Sequence, residues 1–280
     1  MQTRQPVGIF FGLTFLISGF AVAPLIAAQY GLAPFPVPPL LGLAAAIGPG
    51  IAAVTTVLLE GGRPAVWRLL RSALQWRVPF RWYAGVLLFA PLLLAATYAL
   101  HAWLGAPLPS VSSRLPQVLP VFLFLMLQTG FGEELGWRGV AQPRLQTTLG
   151  LVRAALVVGV VWSFWHLPLF LIRDSMQWQL VRVAGAAAAV GGYSVYLVVT
   201  AILFALVMNA SGSLLMPMIL HGAINATAWL SMLNEVERQG LRPLLLLTVL
   251  EAVIVVAWLL GRRARGRSSS PPATRGVVPN

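Results

Sequence analysis

The segment VLPVFLFLMLQTGFGEELGWRG, residues 118–139, decides the fold class of this chain, because a long apolar run ends on two adjacent carboxylates, Glu133 and Glu134. The chain has only 7 acidic residues and places two of them here. A carboxylate in or near hydrocarbon is costly and tends to mark a functional position. The segment therefore predicts a membrane helix that carries one wall of a polar site.

The composition of the whole chain agrees with this interpretation. Of the 280 residues, 58% are hydrophobic and 9% are charged, and the mean hydropathy is +0.82. Soluble domains carry about 25% charged residues, so this chain cannot cover a water-facing surface. The apolar runs are continuous and lack the alternation of a β-barrel. The predicted fold class is all-α: a polytopic membrane protein with about eight transmembrane helices around a polar intramembrane cavity.

The apolar runs predict a single transmembrane domain over residues 1–260, with its motif-bearing core at 118–230. An alternative for the first run is a cleaved signal peptide, since Ala21-Val22-Ala23 resembles a cleavage site, although Pro24 after the cut disfavours cleavage. Gly48-Pro49-Gly50 should bend the second span. The eight predicted spans are 7–28, 40–59, 82–104, 117–137, 151–172, 190–207, 214–230 and 243–260.

All 19 basic residues are arginine, and the formal net charge is +12. They are scattered at the ends of apolar runs, which argues against nucleic acid as a partner, since a high pI alone is weak evidence for it. With eight spans, 14 arginines fall on the side of the two termini and 5 on the other. The positive-inside rule then predicts that both termini are cytoplasmic. The arginine- and alanine-rich composition favours a bacterial cytoplasmic membrane.

Two basic segments accompany the spans. Residues 61–81 interleave five arginines with tryptophans and leucines, which predicts an amphipathic helix in the membrane interface; the alternative is a plain cytosolic loop. Residues 261–280 are predicted to be a basic, disordered cytoplasmic tail. The chain has no cysteine, which excludes disulfides, thiolate metal sites and a cysteine nucleophile.

The two glutamates are expected to play different roles. Glu134 lies four residues before Arg138, so the two share a helix face in the favourable order for an ion pair. Glu133 points about 100° away around the helix. A carboxylate without a cationic partner is the better candidate for a general base. The structural alternative is an ordinary ion pair at a helix end.

Two histidines lie inside other predicted spans. His166 is in the fifth, and His221 shares a face of the seventh with Asn225, four residues on. The chain has only 3 histidines. Each side chain has a structural alternative, such as a bond to a backbone carbonyl or to another helix. One shared polar site, however, supplies partners for all of them together.

Three motifs in this order resemble the family of CAAX prenyl endopeptidases and bacteriocin-processing enzymes, the abortive-infection group. That family is marked by E-E-x-x-x-R, F-x-x-x-H and H-x-x-x-N on separate membrane helices. Trp162 stands where the family often has phenylalanine, and Asn209 also resembles the family. The likeness covers residues 118–230. The matching motifs here are Glu133-Glu134-x-x-x-Arg138, Trp162-x-x-x-His166 and His221-x-x-x-Asn225.

The resemblance implies an intramembrane endopeptidase that acts on a membrane-associated peptide or protein. By position, Glu133 would activate a water molecule with His166, and His221 and Asn225 would stabilise the oxyanion. An older description of the family makes it a metalloprotease, in which case Glu133, His166 and His221 would bind zinc. The chain has no H-E-x-x-H motif, so we expect a glutamate mechanism without a cofactor.

Two other functions stay open at this level. A proton-coupled transporter would use the same carboxylates as a relay, although no internal repeat is visible. A non-catalytic immunity or scaffold protein would keep the fold without the chemistry. Outside the motifs, Glu251 is expected to bond to a neighbouring helix, with a lateral gate as the alternative, and His101 is expected to lie at the interface without a chemical role. The depths of His166 and His221, about 23 and 12 Å into their spans, agree only if the fourth helix continues past Arg138 or the fifth span starts later.

Overall fold

The computed structural model describes residues 7–33, 36–38, 40–108, 112–231 and 239–268. Over these ranges the chain is helical and has no strand, so the predicted all-α class is confirmed. We number the helices in the described ranges α1 Gly8–Gln29, α2 Leu40–Ala46, α3 Gly48–Ala73, α4 Phe80–Trp103, α5 Leu115–Leu149, α6 Leu151–His166, α7 Met176–Ala184, α8 Ala186–Ser211, α9 Leu215–Ser231 and α10 Arg242–Ser268.

Every predicted span coincides with a helix, but fewer than eight are long and uninterrupted. Six helices of the described chain are long and apolar enough to cross a membrane: α1, α4, α5, α6 with its 3₁₀ extension to Leu171, α8 and α10. Helices α2 and α3 meet at 53° and add a seventh if they are counted as one broken span. Helix α9 is apolar but shorter. By length and composition, the eight predicted apolar segments thus correspond to six long helices, one broken pair and the shorter helix α9.

Local sequence explains the two exceptions. Helix α3 begins with Gly48 and Pro49, and proline is favoured in a first turn because its missing N–H needs no partner there. The predicted bend therefore lies at the start of the Gly-Pro-Gly run. Helix α8 ends at Ser211, and the following Gly212 has a left-handed φ of 70°. The Ser213 hydroxyl accepts from the Leu215 amide at 3.2 Å, so the chain breaks here and α9 starts as a separate helix.

Two predicted boundaries are wrong. Helix α3 continues across a kink at Gly62 (φ 62°, ψ −164°) but ends at Ala73, and residues 74–79 are not helical. The proposed helix over 61–81 is therefore shorter, and its position in the interface stays a prediction. Helix α10 continues to Ser268 because arginine and alanine are good helix formers. Residues 261–268 are thus helical rather than disordered, and 269–280, like 1–6, lie outside the described residues.

Helix α5 lies at the centre of the packing. It contacts α3, α6 and α9, while α8 packs against α6, α7 and α10, and α4 packs against α9 and α10. A Cβ at Gly130 would lie 2.5 Å from the Met218 carbonyl oxygen on α9, and one at Gly136 would lie 2.7 Å from the Pro49 carbonyl oxygen on α3. Small residues allow such close approach of membrane helices. The Glu133–Glu134 pair is thereby held between neighbouring helices.

Candidate active site

Helix α5 changes its winding on both sides of the glutamates. Met126–Phe131 and Trp137–Ala141 are π-helical, and Gly132–Gly136 between them is α-helical. Single π-helical turns are rare in proteins, and those that occur are often found at functional sites. Glu133 is 3% exposed and Glu134 is fully buried. The pair therefore lies in the protein core rather than at a solvated helix end.

The predicted ion pair on α5 is present. The Arg138 Nη1 donates to Glu134 Oε1 at 3.2 Å and lies 3.1 Å from Oε2. The guanidinium is fully buried, with its carbon 4.9 Å from the Trp162 ring centroid and 4.8 Å from that of Phe204. Such aromatic faces attract a cation. Arg138 is one of the 14 arginines counted on the side of the termini, and its side chain lies inside the core of the bundle.

Glu133 has a different partner from Glu134. The Trp162 indole N–H donates to Glu133 Oε2 at 2.7 Å. Its Oε1 has no hydrogen-bond partner among the described residues, and the carboxylate lines an internal cavity of the bundle. The division between an ion-paired Glu134 and a differently directed Glu133 is thus present in the geometry.

His166 is held by the backbone of its own helix. Its Nδ1 lies 2.9 Å from the Trp162 carbonyl oxygen. Because a carbonyl oxygen only accepts, Nδ1 carries the hydrogen in this bond, and Nε2 of the neutral ring keeps a free lone pair. The ring packs edge-on against Trp165 and Trp162, with centroids 4.8 and 5.4 Å away. The backbone bond that was considered as an alternative is present, and His166 nevertheless lines the cavity.

Helix α9 reaches α5 through both of its predicted side chains. His221 Nδ1 lies 2.9 Å from Glu134 Oε1. Glu134 therefore joins Arg138 on its own helix to His221 on another, whereas the sequence predicted only the first contact. The Asn225 Nδ2 donates to the Thr129 hydroxyl at 3.0 Å. One amide hydrogen and the amide oxygen of Asn225 are left by this bond.

A cavity of about 440 Å³ connects these side chains. Glu133, His166, His221 and Asn225 all line it, and the rest of its wall is largely apolar. Glu134 and Arg138 are not among the lining residues. Glu134 contacts His221, which does line the cavity, and Arg138 contacts Glu134. His166 and His221 line the same cavity although they lie at different distances from the starts of α6 and α9. One of the two conditions for this is met, because α5 continues past Arg138 to Leu149.

The sequence missed two polar contacts of this site. Trp162 was noted only as an aromatic residue of a motif, and Thr129 was not singled out. A signal was available for Trp162, because it lies four residues before His166 on the same helix face. A buried indole N–H also needs an acceptor, and Glu133 is a strong one. Thr129 had no distinguishing signal.

The possible zinc ligands do not form a metal cluster in this arrangement. No group of three or more histidine, aspartate or glutamate side chains in the described ranges is close enough to hold a metal ion. The Nδ1 atoms of His166 and His221 are bonded to the Trp162 carbonyl and to Glu134, so only Nε2 of each ring is left for another ligand. As placed among the described residues, Glu133, His166 and His221 do not come together as a three-ligand group.

Glu251 and His101 were singled out outside the motifs. Glu251 Oε2 accepts from the Thr200 hydroxyl of α8 at 3.1 Å, so the predicted bond to a neighbouring helix is confirmed. His101 lies in the last turn of α4 and is only 2% exposed, so its side chain is packed against protein, and its position at the interface stays a prediction. It packs against Tyr98 at 6.2 Å between centroids, and neither ring nitrogen has a hydrogen-bond partner within the described chain.

Fold and site together define a class: a polytopic α-helical membrane protein that holds carboxylates, imidazoles and an amide around an internal cavity. Known proteins then narrow this class. Residues 115–227 match the family model described as Type II CAAX prenyl endopeptidase Rce1-like. All six predicted site residues, from Glu133 to Asn225, lie within that range. The resemblance predicted from the three motifs is therefore confirmed for this part of the chain.

A curated relative has a related name. The CAAX prenyl protease 2 of Methanococcus maripaludis is 42% identical to this chain over 62 residues. The aligned region is 22% of this chain and 22% of the relative. The chain thus matches about a fifth of that relative's length, and the likeness does not extend to the whole protein.

Proposed function

We propose that this protein is an intramembrane endopeptidase that hydrolyses a peptide bond in a membrane-associated peptide or protein. The observation that carries the proposal is the single cavity lined by Glu133, His166, His221 and Asn225 within a bundle of apolar helices. The family match of residues 115–227 supports the same reaction class. The largely apolar wall suits the apolar side chains of a substrate that arrives from the membrane.

Glu133 is the general base in this proposal. Its Oε2 is fixed by Trp162, and Oε1 is left to take a proton from a water molecule in the cavity. The water oxygen then attacks the scissile carbonyl carbon, and the carbonyl oxygen becomes an oxyanion. His166 assists by accepting a hydrogen bond from the same water through Nε2. The proton held by Glu133 passes to the amide nitrogen as the carbon–nitrogen bond breaks.

His221 and Asn225 stabilise the oxyanion. In this proposal the His221 Nδ1–H donates to Glu134, which orients the ring, and the Nε2–H of the ring donates to the oxyanion. The second amide hydrogen of Asn225 donates to the same oxygen, since the first is used by Thr129. Fixed donors in a water-poor site lower the barrier by about 3 kcal/mol each. Glu134 and Arg138 act through His221 and are positioning residues.

The topology that goes with this function has both termini in the cytoplasm of a bacterium and the cavity accessible from that side. The excess of arginine on one side supports it. Because the chain has no cysteine, single cysteines can be introduced in the connections and tested with a membrane-impermeant maleimide. Labelling from outside intact cells at residue 76 would contradict this orientation.

The function is tested with purified protein in nanodiscs and a mixture of apolar peptides. Cleavage in H₂¹⁸O should place one heavy oxygen in the new carboxyl terminus, and Glu133→Gln should abolish it. A metal assay with chelation and washout decides the zinc question, and stoichiometric zinc lost together with activity would overturn the glutamate mechanism. Glu133-dependent solute uptake into proteoliposomes without cleavage would instead identify a transporter.

A further inference from the structure

A third buried carboxylate, Glu251 on α10, has no role in the proposed reaction. Its side chain is fully buried, and only Oε2 has a partner, the Thr200 hydroxyl. Oε1 has no hydrogen-bond partner in the part of the chain that the structure describes. The ion pairs of that part involve Glu134 and Glu60, not Glu251. A buried carboxylate with an open oxygen favours a ligand that donates to it.

Glu251 lines a second cavity of about 70 Å³. A single water molecule needs only about 10–15 Å³ of such volume, so a small polar group fits there. Tyr193, Tyr196 and Asn225 line both this cavity and the 440 Å³ cavity. The two spaces therefore adjoin, and a peptide in the larger one can extend a side chain between the tyrosines toward Glu251.

The chemistry of the small cavity favours one kind of ligand. Glu251 offers a single open oxygen, which suits one ammonium N–H better than the two parallel N–H groups of a guanidinium. The rings of Tyr193 and Tyr196 add surfaces that attract cations. Resting on the proposed function, we propose that this cavity is a specificity pocket that binds the primary ammonium group of a lysine in the peptide substrate.

The experiment is a peptide library in which lysine is exchanged for norleucine at each position, with the protein in nanodiscs. Norleucine keeps the aliphatic chain and lacks the ammonium group. At one position, wild type should prefer lysine, and Glu251→Gln should reduce the lysine-to-norleucine ratio of kcat/KM by about 30-fold, because it removes one partner of a buried charge pair. Glutamine keeps an acceptor for Thr200, so the fold is retained. The control Glu60→Gln, at an outer ion pair with Arg144, should leave the ratio unchanged.

The outcomes separate this proposal from the proposed function. If wild type cleaves peptides and the ratio is the same in Glu251→Gln, the ammonium pocket is wrong and the peptidase remains. If wild type cleaves no peptide, the proposed peptidase activity is wrong. Ligand binding is then measured separately, as the rise in Tm with n-butylammonium compared with the rise with n-butanol. A rise specific to butylammonium and lost in Glu251→Gln supports the pocket, and equal rises overturn it. If phosphatidylethanolamine in the nanodisc abolishes the response seen in pure phosphatidylcholine, the ammonium group is a lipid's and not a peptide's.

Discussion

The carboxylates on α5 and the carboxylate on α10 are equally buried but have different surroundings. Glu134 is joined to Arg138 and His221, and Glu133 accepts a hydrogen bond from Trp162. Within the described residues, Glu251 has only the Thr200 hydroxyl as a hydrogen-bond partner. The α5 pair thus belongs to a network that fixes its geometry before any substrate arrives, whereas Glu251 has an oxygen that the protein leaves open.

This difference separates two uses of a buried acid in a membrane protein. A network of charges and donors holds a reactive carboxylate in one orientation, which is what a catalytic base needs. An acid with one neutral partner is less constrained and gains most from an added cation. The following predictions test whether the network on α5 is catalytic and how its parts contribute.

The largest expected effect is at Glu133. Replacement by glutamine removes the proton acceptor while it keeps the shape and the Trp162 contact, so kcat should fall by about 10⁴-fold. The measurement is the initial rate of peptide cleavage per folded protein, with folding followed by circular dichroism. Glu60→Gln, which removes an acid outside the cavity, is the control and should keep the rate. Equal rates for wild type and Glu133→Gln would exclude Glu133 as the base.

The next effect is on stability. Arg138→Met leaves Glu134 buried without its guanidinium partner, and breaking a buried ion pair costs about 3–5 kcal/mol. The free energy of unfolding, measured by denaturant titration in mixed micelles, should show this loss. The matched variant Arg144→Met breaks the more exposed pair with Glu60 and should cost about 1 kcal/mol or less. Similar losses for the two variants would mean that the Glu134–Arg138 pair contributes no more to the free energy of unfolding than the more exposed Glu60–Arg144 pair.

A smaller effect is expected at His221. Its replacement by alanine removes an oxyanion donor and should lower kcat by about 10²–10³-fold while KM changes little. The control is His101→Ala, another buried histidine, which lies outside the 440 Å³ cavity. A loss of activity in both variants that follows the loss of folded protein would identify His221 as structural only.

The smallest effect is expected at Trp162, and it measures how much the hydrogen bond from Trp162 to Glu133 contributes to catalysis. Trp162→Phe keeps an aromatic ring and removes the N–H donor, so kcat should fall by about 10-fold, with KM unchanged, since a hydrogen bond to a charged group is worth about 1.5–3 kcal/mol. Trp165→Phe is the matched control, because the Trp165 indole N–H has no partner in the described residues. If both variants keep full activity, Trp162 only fills space.

Local patterns predicted most of the fold and part of the site. The apolar runs located every span, because hydrophobic length is a property of consecutive residues. The Glu134–Arg138 pair followed from a four-residue spacing within one helix. The bend between α2 and α3 followed from Gly48 and Pro49. Boundaries failed where the signal was weak, at Ala73 and Ser268, since a helix end there depends on competing small preferences.

The contacts between helices could not be predicted in the same way. The approach of Gly130 to Met218 brings α9 against α5, and only this packing places His221 within 2.9 Å of Glu134. The burial of Arg138 between two aromatic rings has the same origin, since Phe204 comes from α8. Sequence spacing does not specify how segments far apart in the chain face one another.

The sequence by itself therefore determined the class of this protein and the residues to examine: an all-α membrane bundle with its acids, histidines and asparagine on three helices. Hydropathy and helical periodicity are local, and a single chain displays them. The tertiary structure decided which nitrogen meets which oxygen, that Glu134 serves two partners, and that Glu251 faces a cavity of its own. The first two features depend on the packing of α5 against α3, α6 and α9, and the third on the packing of α10 against α8 and α4. Close contacts between helices fix distances that no spacing in the sequence encodes.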